Sequence, residues 1–265
     1  MAKETGGFYR ESEIITHLNN EKIKSINKDL RNVIQSMFGP LKDNTILHSE
    51  RVMGFVKPDF SITANGITKY VSMKSGTASV VHQEDIKTFV KFLRECGVSR
   101  RTLQTFLYLH YGDGTLDGSG PKRYSADEMK IIAKERIKDA NDELNNNKEI
   151  ILKVARRVLF KGTIEGPEAD YIFHGDVSGG YIASRGQIYK YITRHDWNDD
   201  ELRTLHIGPF FFRCHVRYLN TEVKNPEKRQ RCDCWWPRIK TDIMWHISKY
   251  SDSYDEYLKS LDFLL

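Results

Sequence analysis

The strongest constraint on the fold is a pair of strand-like segments separated by Asn65 and Gly66. An Asn-Gly pair between two alternating segments is typical of a two-residue type I′ turn, so Lys57–Thr63 and Ile67–Ser75 are predicted to form a β-hairpin. Such a turn pairs the two residues that flank it, and this fixes the register of every later pair along the hairpin. The register then assigns each side chain to one face of the predicted sheet.

In this register, polar side chains collect on one face of the hairpin. Asp59 lies opposite Ser72 and within diagonal reach of Lys74. A carboxylate can bind a divalent ion, and an ammonium group beside it can orient the attacking water and offset charge on phosphate oxygens. The candidate catalytic residues on the hairpin are therefore Asp59, Ser72 and Lys74. The opposite face receives side chains suited to a core: Phe60, Ile62, Val71 and Met73.

A further acid is expected from the next element, a helix predicted over His82–Cys96. Its first turn contains Glu84 and Asp85. If this helix packs on the sheet, one of these two carboxylates completes a metal site with Asp59. One or two carboxylates suit Mg²⁺, which keeps several waters, and Mn²⁺ is the expected substitute. The helix dipole alone also favours acids in a first turn, so both residues have an ordinary structural explanation as well.

The remaining patterns predict an α/β protein. Helical spacing covers Ser12–Phe38 with a break near Asn19 and Asn20, Ile46–Val56 is predicted as a strand, and Leu103–Tyr111 as a buried strand. Residues 1–111 are thus predicted to run helix, three strands, helix, strand. Residues 112–265 are predicted to add a helical insertion with further strands and helices, within the same domain. Their elements are expected at Ser125–Lys161, Tyr171–Phe173, Ser184–His195, Phe210–Leu219 and Ile239–Tyr250.

The basic residues are unevenly placed along a chain whose formal net charge is +5. Most of this surplus lies between Lys224 and Lys240. As a strand, Phe210–Leu219 would have an apolar face and a cationic face, and the cationic face could lie against phosphates. A solvated outer face of an antiparallel sheet is the alternative explanation. The candidate nucleic-acid-binding residues are Arg213, His215, Arg217, Lys228, Arg229 and Arg231.

Composition excludes several classes of protein. Hydrophobic residues make up 39% of the chain, which is enough for a core and excludes general disorder. No stretch approaches the about 18 apolar residues of a membrane helix, and the amino end lacks an apolar signal segment. Four cysteines are too few for a disulfide scaffold, and Cys232-x-Cys234 is spaced too closely for a usual zinc site. We expect a cytoplasmic protein with no membrane partner and no zinc.

The segments Val56-Lys57-Pro58-Asp59 and Val71-Ser72-Met73-Lys74 resemble the active-site motif of the PD-(D/E)XK nuclease superfamily, which includes many restriction endonucleases. The resemblance implies a restriction-endonuclease-like core, a mixed central sheet flanked by helices, with a second half elaborated for DNA binding and sequence choice. It assigns metal binding to Asp59 and the catalytic lysine to Lys74. One position departs from the family pattern, because Ser72 stands where Asp or Glu is usual. Some members draw the missing acid from the following helix, which implies Glu84 here as a metal ligand, with Asp85 in reserve.

The sequence therefore predicts a Mg²⁺-dependent endonuclease that cleaves double-stranded DNA, of the restriction or defence type. Two alternatives remain open. The first is a non-cleaving nucleic-acid-binding protein with a degenerate nuclease core, which is suggested by Ser72. The second is a structure-selective repair or junction nuclease. A homodimer is a further open alternative, since dimers are common where symmetric sites are cut on both strands.

Overall fold

The structure is a computed structural model that describes residues 6–75, 79–120, 122–197, 204–215 and 226–249. The chain divides into two compact units. The first comprises Met1–Ala78, Ala155–Tyr191 and Arg238–Leu265, and the second Ser79–Val154 and Ile192–Pro237. Residue 111, the last residue of the predicted core elements, lies inside the second unit.

The helices are α1 (Gly6–Leu18), α2 (Lys28–Phe38), α3 (Ile86–Glu95), α4 (Arg100–Tyr111), α5 (Ala126–Ile132), α6 (Lys134–Asn145), α7 (Lys148–Ala155), α8 (Arg185–Arg194) and α9 (Ile239–Trp245). The strands are β1 (Leu47–Arg51), β2 (Phe60–Ala64), β3 (Ile67–Lys74), β4 (Val80–Asp85), β5 (Tyr171–Asp176), β6 (Gly179–Ser184), β7 (His206–Ile207), β8 (Phe210–Cys214) and β9 (Arg231–Trp235). A π-helical segment, Arg156–Lys161, follows α7, and short 3₁₀ turns lie at Ile23–Ser25, Pro226–Gln230 and Ile247–Lys249.

The first unit is built on a five-stranded mixed sheet of order β1-β2-β3-β5-β6. Strands β3 and β5 are parallel, and every other neighbouring pair is antiparallel. Helices flank this sheet, which confirms the predicted fold class. The predicted hairpin is also confirmed, since Ala64 pairs with Ile67 and Phe60 with Val71.

Both faces of the hairpin are covered where it crosses the sheet. The predicted apolar face of β2 and β3 is confirmed: it packs with α1 and α2 in one core. On the other face of the same sheet, Ser72 and Ile172 are also fully buried. Burial on both faces is usual where strands pair in parallel. The core contains Ile14, Leu18, Leu30, Ile34, Phe60, Ile62, Val71, Met73 and Phe173.

The helical region at the amino end has the break that the sequence predicts. Helix α1 ends at Leu18, and Asn20 takes a left-handed conformation with φ 62°. Helix α2 then starts behind Asn27, whose side chain accepts a hydrogen bond of 2.9 Å from Leu30 N. Two separate helices rather than one long helix can therefore follow the curvature of the sheet.

The second unit has a four-stranded sheet of order β4-β9-β8-β7, with all neighbours antiparallel. Its core is rich in aromatic side chains. Phe89 of α3 stacks on Phe212 of β8 with ring centroids 4.8 Å apart, and Phe106 of α4 meets Phe212 edge-on at 5.4 Å. The strand predicted at Phe210–Leu219 is present as β8, and its continuation at residues 216–219 lies outside the described residues.

One predicted element is wrong and one predicted helix begins too early, and both lie in the second unit. Leu103–Tyr111 is part of helix α4, not a strand. His82–Asp85 is not the start of a helix but part of strand β4, which pairs with β9, and α3 begins only at Ile86. The strand partner lies far along the chain, so the local pattern contains no sign of it. For α4, the capping residues Ser99 and Gly112 were the available helix signals.

The central polar region of the chain is helical as predicted, with its break at Asn146 and Asn147 between α6 and α7. Helix α8 starts behind Ser184, whose Oγ accepts a hydrogen bond of 3.1 Å from Gln187 N, as the sequence also predicts. Within the part of the chain that the structure describes, no helix has both the length and the apolar character needed to cross a membrane.

Replacing Ser99 by alanine tests the corrected assignment of α4. Ser99 Oγ accepts a hydrogen bond of 3.3 Å from Thr102 N and donates one of 2.6 Å to Glu143 Oε2. Loss of an N-cap costs about 1 kcal/mol, so chemical denaturation of Ser99→Ala should show a destabilisation of roughly that size. A strand at this position would have no cap to lose, and an unchanged stability would contradict the assignment.

In the same variant, the free energy of unfolding should also depend less on pH in the acidic range. Burial disfavours ionisation of Glu143, but hydrogen bonds from Ser99 and Thr102 outweigh it, and the pKa of Glu143 lies below its usual value. A lowered pKa contributes stability above the ordinary pKa of glutamate, and that stability is lost as the pH falls through the lowered value. Ser99→Ala should therefore differ less from the wild type at pH 3 than at pH 7.

Candidate active site

Asp59, Ser72 and Lys74 meet in the first unit, as the hairpin register predicts. Ser72 Oγ donates to Asp59 Oδ2 at 3.2 Å, and Lys74 Nζ donates to Ser72 Oγ at 3.1 Å. The serine thus connects the carboxylate to the ammonium group. Asp59 and Lys74 are half-buried, whereas Ser72 is fully buried. The two charged groups are therefore accessible to a ligand while their support is part of the core.

The main chain of Met73 adds a donor and an acceptor to this group. Its N–H donates to Asp59 Oδ2 at 2.5 Å, and its carbonyl oxygen accepts from Lys74 Nζ at 2.9 Å. Asp59 itself lies just before β2, where its N–H donates to Val71 O at 2.8 Å. Strand β3 consequently fixes both the aspartate carboxylate and the lysine ammonium.

A second carboxylate in the first unit comes from helix α1, and the sequence reasoning missed it. Glu11 accepts a hydrogen bond of 3.2 Å from Arg51, and its side chain is only 17% exposed. Arg51, at the end of β1, also donates to Ser12 Oγ at 2.8 Å, and this links the helix to the sheet. The sequence does contain a signal, because Glu11 lies on the same helical stripe as Ile14 and Leu18. A charged residue on a stripe that faces the core is a candidate for function.

The charge of Glu11 interacts with the hairpin group. Burial, followed by the negative charge of Asp59, raises the pKa of Glu11 above its ordinary value. The positive charges of Arg51 and Lys74 act in the opposite direction but are the smaller effects. Two carboxylates within electrostatic range of each other, one of them costly to ionise, form a pair that a cation would stabilise.

The acids predicted to complete the site lie in the second unit. Glu84 is on strand β4 and not in a helical turn; its nearly buried carboxylate is 3.2 Å from His82 Nε2. Asp85 is the N-cap of α3 and accepts hydrogen bonds from Lys87 N and Thr88 N at 2.9 and 3.1 Å. The prediction that a helical first turn presents these two acids was therefore wrong. A catalytic or metal-binding role for Glu84 stays a prediction.

The oxygens of the first unit fit a hard divalent cation. Asp59, Glu11 and the Met73 carbonyl supply oxygen donors, and Mg²⁺ needs only one or two protein carboxylates when substrate phosphate and water complete its shell. The set contains no sulfur or imidazole donor. Among the described residues there is no group of three or more His, Cys, Asp and Glu side chains placed to hold a metal ion.

The predicted cationic face of β8 is present in the second unit, and an acid of the neighbouring strand β9 lies against it. Arg213 stacks over the ring of Trp235 at 3.4 Å and is 3.9 Å from Asp233, and His215 Nδ1 is 3.0 Å from the same carboxylate. Asp233 is 3% exposed and also accepts a hydrogen bond of 2.9 Å from Gln83. The carboxylate offsets part of the charge on this face and orients the side chains around it.

The other candidate nucleic-acid-binding residues have different environments. Arg229 donates to Gly118 O at 3.2 Å and lies 3.5 Å from Asp113, so it stabilises the glycine-rich loop after α4, residues 112–120. Lys228 and Arg231 are exposed. Arg217 lies outside the described residues.

The cysteines near these residues are buried thiols. Cys214, Cys232 and Cys234 are all free and buried. Burial, followed by the charge of Glu84, raises the pKa of the Cys232 thiol. A raised pKa keeps this thiol protonated, and a protonated thiol is a poor metal ligand and nucleophile.

Comparison with known proteins yields a similarity of structure. No family model matches the sequence, and no curated protein matches it. Among solved structures, the chain is similar to the restriction endonuclease MspI in complex with its cognate DNA, at 12% sequence identity and a TM-score of 0.49. The similarity covers 84% of this chain and 86% of that one.

Proposed function

We propose that this protein is a divalent-metal-dependent endonuclease of the PD-(D/E)XK superfamily that hydrolyses phosphodiester bonds in double-stranded DNA. The observation that carries the proposal is the hydrogen-bonded connection from Lys74 through Ser72 to Asp59, with a second carboxylate, Glu11, in electrostatic range. An anion pair beside an ammonium group, on strand ends whose core side is buried, suits a phosphodiester substrate. Activity of the restriction or defence type, a cytoplasmic location and a homodimer remain predictions.

Each residue of the site has a distinct part in this proposal. Asp59 and Glu11 would hold Mg²⁺, which when bound lowers the pKa of a coordinated water and offsets charge on phosphate oxygens. Lys74 Nζ, held by Ser72 Oγ and Met73 O, donates to the attacking water or to a phosphate oxygen. Arg51 holds Glu11 in place and is a positioning residue. Ser72, which stands where the family pattern has an acid, connects Asp59 to Lys74.

Contacts to DNA outside the site are proposed for the cationic residues of the second unit. Exposed Lys228 and Arg231 suit phosphate contacts, which position a duplex without reading its sequence. Arg213 and His215, oriented by Asp233, suit contacts that require a defined geometry. Arg217 is retained as a candidate from the sequence alone. Arg229 is a weaker candidate, because its guanidinium already braces the loop at Gly118.

A non-cleaving DNA-binding protein is the second candidate function. It is favoured by Ser72 and by the observation that the described residues contain no three-ligand cluster of His, Cys, Asp and Glu. This candidate predicts salt-sensitive binding to duplex DNA without cleavage in any divalent ion.

Incubation of the purified protein with plasmid DNA separates the two candidates. We expect cleavage with Mg²⁺ or Mn²⁺, none with EDTA, and a repeated fragment pattern if the enzyme recognises a sequence. A branched oligonucleotide duplex tests the structure-selective alternative in the same assay. Intact plasmid in both ions, together with binding in gel-shift experiments, would refute the nuclease and leave the binding protein.

A further inference from the structure

Two large apolar side chains stand in solvent beside the candidate active site. Phe55 is 91% exposed and Met53 80% exposed, the highest values for large hydrophobic side chains in the described part of the chain. They lie in one loop, residues 52–57, that joins the end of β1 to Asp59. Scattered exposed apolar residues are ordinary, but a pair at the tip of one loop marks a contact surface.

The base of this loop is fixed to the first unit while its tip projects. Val52 N donates to Asp59 O at 3.2 Å, which closes the loop directly on the catalytic aspartate. Val56 packs over Gly166 so closely that a Cβ built there would lie 2.5 Å from Val56 Cγ1. Between the two apolar side chains, Gly54 takes φ 98°, a conformation that favours glycine. The position of Phe55 is therefore tied to the position of Asp59.

The place of the loop favours the substrate of the candidate site as its partner. Arg51 and Lys57 bound the loop, and the acidic Glu50 and Asp59 lie just outside them, so these charges balance. Arg51 also lies 5.3 Å from the ring of Phe8, which is itself 57% exposed. An exposed aromatic ring next to basic residues suits nucleic acid, because unstacked bases can stack on the ring.

We propose that Phe55 and Met53 form a wedge that inserts between base pairs of duplex DNA next to the phosphate that is cleaved. The inference rests on the proposed function and specifies how the protein binds its substrate next to that site. Apolar side chains inserted at a base step unstack it and bend the duplex, and an aromatic ring gains stacking on the exposed base. Because the loop closes on Asp59, the unstacked step would lie beside the candidate metal site.

The test uses the full chain bound to linear plasmid fragments, with Ca²⁺ in place of the catalytic ion. Permanganate oxidises unstacked thymines and diethyl pyrocarbonate modifies unstacked adenines, so together they report distortion at most base steps. We expect enhanced reactivity at the bound sites with wild type and with Phe55→Trp, and none with Phe55→Ala. Loss of stacking should also weaken binding of Phe55→Ala by about 10- to 100-fold.

The matched control is Ile67→Ala, at the opposite end of the same hairpin, where Ile67 is 56% exposed. It should bind and distort DNA as the wild type does. Unchanged reactivity and cleavage in Phe55→Ala would overturn the wedge, and so would a dimer in light scattering that Phe55→Ala abolishes. If the wild type bound and distorted DNA without cleaving it in Mg²⁺ or Mn²⁺, the proposed nuclease function would fail while the wedge stood.

Discussion

Lys74→Ala is expected to reduce DNA cleavage by at least about 10²–10³-fold, the usual cost of removing one preorganised donor from an active site. Its ammonium group donates to Ser72 Oγ and Met73 O, and Ser72 connects it to Asp59. Asp59→Asn should show a loss of similar or larger size, because the neutral amide binds a divalent ion poorly. Single-turnover cleavage measures the chemical step, and thermal unfolding verifies that both variants fold.

Lys69→Ala is the matched control for the lysine. Lys69 is on the same strand, and its ammonium group lies 5.9 Å from the ring centroid of Tyr171. It removes the same charge from β3 without touching the proposed site, so cleavage should stay within a few-fold of wild type. Wild-type cleavage by Lys74→Ala, with Lys69→Ala equally active, would reject the assigned role of Lys74.

The second large effect distinguishes the two acids that have been assigned to the site. Glu11→Gln should lower cleavage by about 10²-fold, because one carboxylate ligand of the proposed Mg²⁺ is lost, a change of the size seen on removing one electrostatic group. Glu84→Gln is the matched control, and it is the variant that the motif resemblance predicts to be inactive. Loss of cleavage in Glu84→Gln alone would restore the prediction made from the sequence and remove Glu11 from the site.

The same two variants also test stability, since removing the Glu11 carboxylate is not expected to lower the melting temperature. The pKa of Glu11 is raised, so the stability linked to it is present below the ordinary pKa of glutamate and is lost as the pH rises through the raised value. At pH 7 without divalent ions, Glu11→Gln should therefore melt no lower than wild type. Ca²⁺ should raise the melting temperature of wild type and of Glu84→Gln but not of Glu11→Gln. Equal shifts in all three would contradict a Glu11 ligand.

The hairpin was predictable because its information is local. Asn65 and Gly66 specify the turn, the turn specifies the register, and the register places Asp59 beside Ser72. The break between α1 and α2 and the cap of α8 were also readable, since each depends on residues within one turn. For these elements, local chemistry and tertiary structure agree.

The errors arose where partners are distant in the sequence. Strand β4 is a strand because it pairs with β9, and β3 is central because β5, encoded about a hundred residues later, pairs with it in parallel. No pattern in the neighbouring sequence indicates either partner strand. Glu84 was assigned on the assumption that a helix began at His82. Glu11 was missed because the predicted helix began at Ser12, six residues after the start of α1 at Gly6.

Crystals of the protein soaked with Mn²⁺ test the central claim most directly, because manganese gives an anomalous signal that identifies its ligands. We predict a peak coordinated by the Asp59 carboxylate in wild type, with Glu11 and the Met73 carbonyl in its surroundings, and no peak in Asp59→Asn. Manganese bound elsewhere, or none at Asp59 when duplex DNA is also bound, would contradict the account.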